Sequence, residues 1–118
     1  MYRAAILVVD DDELVCDILK TSLTDAGYIV DAVIEPEIAL KKFREQQYDT
    51  VIVDLVLPRM TGTELLEKFQ EISPETSVIL VTAHPGVESA QRAVQLRAFD
   101  YISKPFELRE IVDRKSVV

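Results

Sequence analysis

The stretch ILVVDDDE, residues 6–13, runs four apolar residues straight into four acids. Ile6, Leu7, Val8 and Val9 show no polar alternation, so they read as a strand buried on both faces, the mark of a parallel sheet covered by helices. The strand ends at Asp10, and three consecutive carboxylates stand at its carboxyl end. Carboxylates crowded in this way repel one another unless something binds them. The sheet and the acids therefore have to be explained together.

Four more short runs, at 28–34, 50–55, 77–81 and 99–102, are mostly β-branched or aromatic and predict further strands. Amphipathic segments lie between them. Leu14, Val15, Ile18, Leu19, Ser22 and Leu23 form an apolar stripe on a first helix, which Gly27 ends as a left-handed cap. Pro36 opens a second helix, with Ile38, Ala39, Leu40 and Phe43 turned inward. Leu65, Leu66, Phe69 and Ile72 mark a third, residues 87–96 a weaker, alanine-rich fourth, and Leu108, Ile111 and Val112 a short fifth from Glu107. Cys16, beside the stripe of the first helix, reads as a small buried residue. Strand and helix alternating in this way imply a parallel sheet, with right-handed crossovers placing helices on both faces.

With 118 residues, 48% of them hydrophobic, the chain reads as one domain able to bury a core without disulfides or structural metal. A net charge of -8 opposes direct binding to nucleic acid or to an anionic membrane surface. Cys16 is the only cysteine, so no intrachain disulfide forms and no zinc-site spacing exists, which fits a reducing cytoplasm. No apolar run is long enough for a membrane helix, and MYRAAILVVDDDE reaches acids too early for a signal peptide. Three glycines supply neither a dinucleotide fingerprint nor a P-loop.

Open sheets of this class bind ligands beyond the carboxyl ends of their strands, where strand order reverses. Asp10, Asp11 and Asp12 end the first strand, Asp54 the third, Thr82 the fourth and Lys104 the fifth. In strand order 2-1-3-4-5 the first and third strands flank the reversal, so Asp54 faces the acidic cluster. A hard divalent cation that accepts a few carboxylates and keeps several waters, Mg2+, suits such a pocket. Asp12 reads as the N-cap of the first helix and Glu13 as its first-turn acid.

These residues resemble the receiver domain of two-component response regulators, over residues 6–112. VVDD ends the first strand with an acidic pair, and VDLVLPRMTG sets Pro58 four and Gly62 eight positions after Asp54. VTA supplies a hydroxyl followed by a small residue, and DYISKPF an aromatic, a lysine and a proline. LVTAH and FDYISKPF further resemble receivers of the nitrogen-regulation, sigma-54 activator type. The resemblance implies a flavodoxin-like three-layer sandwich with a five-stranded parallel sheet of order 2-1-3-4-5. It implies a cytoplasmic phosphoacceptor domain, residues 1–118, N-terminal in or excised from a longer transcription regulator. Asp54 then takes a phosphoryl group from a histidine kinase. Asp11 holds Mg2+ (or Mn2+) directly and Asp10 mainly through water, with Asp54 and the backbone carbonyl of Val56 completing the protein's share. Thr82 and Lys104 hold the phosphoryl group. Thr82 and Tyr101 form the switch, altering a face of helix four, strand five and helix five that meets an output domain, a downstream protein or, on phosphorylation, a second copy. A receiver of this kind assists its own phosphorylation and dephosphorylation but is a signalling domain and not an enzyme.

Two other readings compete. A haloacid dehalogenase-type phosphohydrolase also uses Asp-x-Asp after its first strand, as Asp10 and Asp12 do, but needs a later acidic pair, where this chain has only Asp100 and Asp113, far apart. A phosphorylation-independent interaction module would not need the full set of Asp10, Asp11, Asp54, Thr82 and Lys104. His84 reads as a loop position that tunes phosphoryl lifetime, Gly86 as a point where that loop moves, and the bond before Pro105 as a cis turn that aims Lys104 inward.

Overall fold

The computed structural model describes residues 3–83, 86–95 and 97–104. Its elements alternate: β1 (Ala5–Val9), α1 (Glu13–Asp25), β2 (Ile29–Val33), α2 (Pro36–Glu45), β3 (Thr50–Asp54), α3 (Gly62–Ile72), β4 (Ser77–Thr82), α4 (Val87–Gln95) and β5 (Asp100–Ser103). All strand pairs are parallel, in the order β2-β1-β3-β4-β5. This is the flavodoxin-like sandwich expected from the sequence. His84 and Pro85, the end of the fourth helix at Leu96, the bond before Pro105, and the fifth helix with Leu108, Ile111 and Val112 lie outside the described residues.

The uninterrupted apolar strands are explained by two core layers. Leu7, Val9, Val51, Val53 and Leu80 point to the face covered by α2, α3 and α4, where Phe43 and Phe69 meet with ring centroids 4.5 Å apart. Ile6, Val8, Ile52, Ile79 and Ile102 point to the other, against Cys16, Leu19 and Leu23 of α1. Successive strand residues alternate faces, so a strand covered on both sides needs apolar residues at every position.

The apolar stripe of α1 is corrected. Leu14 is 66% and Ile18 55% exposed, whereas Cys16, Leu19 and Leu23 are buried. At about 100° per residue the latter three share one side, and Leu14 and Ile18 fall on the opposite side of the helix. Ile38 is exposed too, on the side of α2 away from Ala39, Leu40 and Phe43; Ile72 lies in line with Leu65 and Phe69 but is 38% exposed as the last residue of α3, and Phe99 is exposed just before β5.

Both predicted ends of α1 form. Asp12 Oδ1 accepts from the Leu14 amide at 2.9 Å. Beyond Asp25, Gly27 takes φ +102°, its N–H donates to the Thr24 carbonyl, and the Tyr28 N–H donates to that of Leu23. Those paired bonds around a left-handed glycine satisfy carbonyls that the helix would otherwise leave open.

Candidate functional site

The pocket forms because β1 and β3 are neighbours at the place where strand order reverses. Their register pairs Val9 with Val53, so Asp10 and Asp54 leave the sheet side by side. Asp10 is buried at 4% exposure; its Oδ1 accepts from the Asp12 amide at 3.0 Å and its Oδ2 from Lys104 Nζ at 2.8 Å. Asp54 Oδ2 accepts from the same ammonium at 3.1 Å, and Oδ1 from the Val56 amide at 3.1 Å. Asp11 is exposed at the rim, yet carboxylate oxygens of Asp10, Asp11 and Asp54 all lie within 4.8 Å of one another.

Lys104 is brought there by the sheet. β5 pairs with β4 through Thr82 and Ser103, and the Lys104 N–H donates to the Thr82 carbonyl at 2.6 Å, fixing the residue at the strand end. Thr82 is fully buried, one position beyond Val81, the register partner of Asp54. Tyr101 is half-buried against the layer that contains Leu80, its register partner.

The electrostatics follow from burial and pairing. Burial pushes the Asp10 carboxyl above its ordinary range; the Lys104 ammonium and the Asp12 amide oppose this, and the charge of Asp54 adds to it. For Lys104, burial alone disfavours the ammonium, but its bonds to Asp10 and Asp54 outweigh that and raise its pKa. The lysine therefore stays charged while one carboxylate remains incompletely compensated.

The loop after β3 is pinned at several points. The Leu55 N–H donates to the Val81 carbonyl and the Gly62 N–H to that of Leu55, both at 2.8 Å. The eight-residue spacing from Asp54 to Gly62 has a steric cause. A Cβ on Gly62 would lie 2.5 Å from the Asp54 carbonyl oxygen and 2.7 Å from Leu55 Cα. Between them, the Met60 N–H donates to the Pro58 carbonyl around Arg59, whose φ is +65° and whose guanidinium lies 3.5 Å from both Glu35 and Glu37.

Asp10, Asp11, Asp54 and Lys104 thus come together, with Thr82 at the adjoining strand end. Val56 is exposed, its amide turned to Asp54. Asp12 is occupied as the helix cap, which removes it from the Asp-x-Asp pairing of the hydrolase reading. Thr61, not singled out in the sequence, caps α3 by accepting from the Glu64 amide at 3.1 Å; the spacing T-x-x-E carried that signal.

Comparison with known proteins agrees with this geometry. The chain is 38% identical over 109 residues to the regulatory protein VanRB of Enterococcus faecalis, covering 92% of this chain and 49% of that protein. It is 34% identical over 110 residues to the DNA-binding transcriptional regulator NtrC of Proteus hauseri, covering 93% and 23%, so the likeness to nitrogen-regulation receivers exists beside a higher identity elsewhere. The chain spans about half the length, or less, of these relatives. A response regulator receiver domain protein (CheY-like) from Methanospirillum hungatei superposes with a TM-score of 0.94 at 31% identity, over 98% of this chain and 93% of that one. A response regulator from Burkholderia pseudomallei, solved with a phosphorylated aspartic acid, calcium ion and citrate, gives 0.88 at 25% identity, over 97% and 70%. The family model "Response regulator receiver domain" matches residues 6–115, and the chain belongs to that family, the signal-receiving domain of two-component regulators.

Proposed function

We propose that Asp54 is the phosphoryl acceptor of this receiver and that a histidine kinase is its donor. The observation that carries the reading is the Lys104 ammonium held between Asp10 and Asp54, at 2.8 and 3.1 Å, beside a third carboxylate. Three carboxylates and one ammonium leave a formal charge of about minus two, and every donor is a hard oxygen, so the set fits Mg2+ or Mn2+. Asp10, Asp11, Asp54 and the Val56 carbonyl would hold the ion, which when bound neutralises charge on the phosphoryl oxygens.

The chain's own groups do the rest. An Asp54 oxygen attacks phosphorus while the bond from phosphorus to the donor's imidazole nitrogen breaks, and the nitrogen keeps that electron pair. Lys104 supplies a fixed positive charge to the transferred oxygens, and the Thr82 hydroxyl donates to the new phosphoryl group. Asp10, buried beneath Lys104, holds the ammonium in place. Movement of Thr82 toward the phosphoryl group lets Tyr101 turn inward, shifting the face of α4, β5 and the fifth helix.

The curated relatives are about twice as long as this chain or longer, which supports a receiver unit over residues 1–118 joined to an output domain in a cytoplasmic transcription regulator. Phosphorylation-dependent pairing of two copies would use the same face. No helix among the described residues is long and apolar enough to cross a membrane. Incubation with acetyl phosphate and Mg2+ should add one phosphoryl mass to the wild-type chain and none to Asp54→Asn. An equal adduct on both would move the acceptor elsewhere.

A further inference from the structure

Among the helices covering its face of the sheet, α4 is held differently. α2 buries Ala39, Leu40 and Phe43, and α3 buries Leu65, Leu66 and Phe69, but among the described side chains of α4 only Ala93 is buried. Val94, one position on, is 78% exposed. Toward the loop after Asp54, the described side chains of α4 line a groove. A groove of about 600 Å3 separates Gln91 and Gln95 from Leu55, Val56, Thr61 and Thr63.

Among the described residues, two polar contacts tie the helix to α3. Arg92 Nη2 lies 2.8 Å from Glu67 Oε1, and Gln70 Nε2 donates to the Arg97 carbonyl at 3.3 Å. Arg97 takes φ +59° just beyond the helix, where its N–H donates to the Val94 carbonyl and the Ala98 N–H to that of Ala93. Glu67 therefore grips the body of α4, and Gln70 its C-terminal turn. Among the described side chains of α4, one buried alanine and these polar ties to α3 carry the contact that resists its displacement.

We infer that the Glu67–Arg92 ion pair and the Gln70–Arg97 carbonyl bond form a clasp that holds α4 in its unphosphorylated position and sets how readily the domain responds. The inference rests on the phosphoacceptor reading. A contact made only in the resting arrangement lowers the energy of that arrangement alone, so phosphoryl binding must work against it. Both partners of the ion pair are half-exposed, at 52% and 43%, which limits the expected effect to roughly two- to fivefold.

The test is titration of the Mg2+-loaded chain with beryllofluoride, followed calorimetrically, for the wild type, Glu67→Gln, Arg92→Gln and their double variant. Each single variant should bind the analogue roughly two- to fivefold more tightly, and the double variant no more tightly than the singles, because all three break one pair. The charge-swapped double variant Glu67→Arg with Arg92→Glu should return to the wild-type value, and Gln70→Ala should tighten binding independently. Both ion-pair positions are exposed, so urea midpoints should stay close to wild type and loss of fold cannot mimic the result. Wild-type binding with unchanged or weaker binding by the variants overturns the clasp alone. No binding by the wild type overturns the phosphoacceptor reading, and the clasp falls with it.

Discussion

Replacing Gly62 by alanine tests whether the loop after β3 is built around a missing side chain. The added Cβ would sit 2.5 Å from the Asp54 carbonyl oxygen, 2.7 Å from Leu55 Cα and 3.1 Å from the Asp54 carbonyl carbon. Ordinary contact between such atoms is about 3.5 Å, so the main chain at the end of β3 must move by roughly 1 Å. These neighbours are backbone, so no rotamer change relieves the overlap. Overpacking of this kind costs about 1–3 kcal/mol. Gly62 opens α3, where helix propensity alone would make alanine stabilising by roughly 0.4–1 kcal/mol, so the two arguments predict opposite signs. The expected result is a lower urea midpoint at unchanged slope, and a melting temperature lower by roughly 4–12 °C for a chain of this size. The yield of phosphoryl adduct should fall as well, because the displaced atoms carry Asp54. A midpoint equal to or above wild type would refute the steric account.

Tyr48 is buried and donates to Asp31 Oδ2 at 2.6 Å; burial first and that bond second hold its phenol protonated well beyond the ordinary range. The unfolded phenol ionises near pH 10, so this stabilisation is intact below pH 10 and should decline by about 1.4 kcal/mol per unit above it, and the fall of stability with pH, to which Cys16 and Lys104 also contribute, should be shallower by that amount in Tyr48→Phe. Burial pushes the Cys16 thiol up to about 11, with the Asp10 charge adding to it, so Ellman's reagent at pH 8 should react about a hundredfold more slowly with the folded chain than with the unfolded one; equal rates would contradict its burial. Lys104→Met should separate two roles of the lysine. Removing a cation beside the carboxylates should tighten Mg2+ by on the order of tenfold while lowering phosphoryl retention, and loss of both would mean that the lysine mainly shapes the carboxylate pair.

The three central strands were legible because burial on both faces leaves an uninterrupted apolar run, as in residues 6–9, with a polar residue just after it; the edge strands β2, with Asp31 at its middle, and β5 are less regular. The site was legible for the same reason: Asp10, Asp54, Thr82 and Lys104 are those end residues, and parallel strands deliver their carboxyl ends to one edge. Helix faces were less so. Leu14 and Ile18 have the four-residue spacing of an inward stripe, and only the position of Cys16 over the sheet shows that the opposite side is buried. Nor does the string DDD reveal that its first member is buried beneath a lysine 94 positions away, its second exposed and its third a helix cap. Those fates depend on the angle at which α1 leaves β1, which no single residue encodes. The Asp54 to Gly62 spacing was visible as a pattern, but its cause, backbone packed against backbone, is a property of the folded loop.

The two halves of the molecule's task call for opposite mechanical properties. Phosphoryl transfer depends on charges already in position, and here Asp10, Asp54 and Lys104 are tied to the sheet. Asp10 is anchored through its amide to Val33 and its carboxylate to Lys104; Lys104 is anchored to Thr82, and the loop after Asp54 to Val81 and Gly62. Each such anchor would cost reorganisation if it had to form during the reaction, so forming it beforehand lowers the barrier. A response at a distant surface instead requires an element whose two positions differ little in energy. α4, with one buried alanine among its described side chains and solvent-exposed polar ties to α3, meets that requirement, and its groove opens beside Leu55 and Val56, the residues that follow Asp54. The rigid and the loose regions therefore meet at the loop after Asp54, where a phosphoryl group on that residue, as proposed, would act on both.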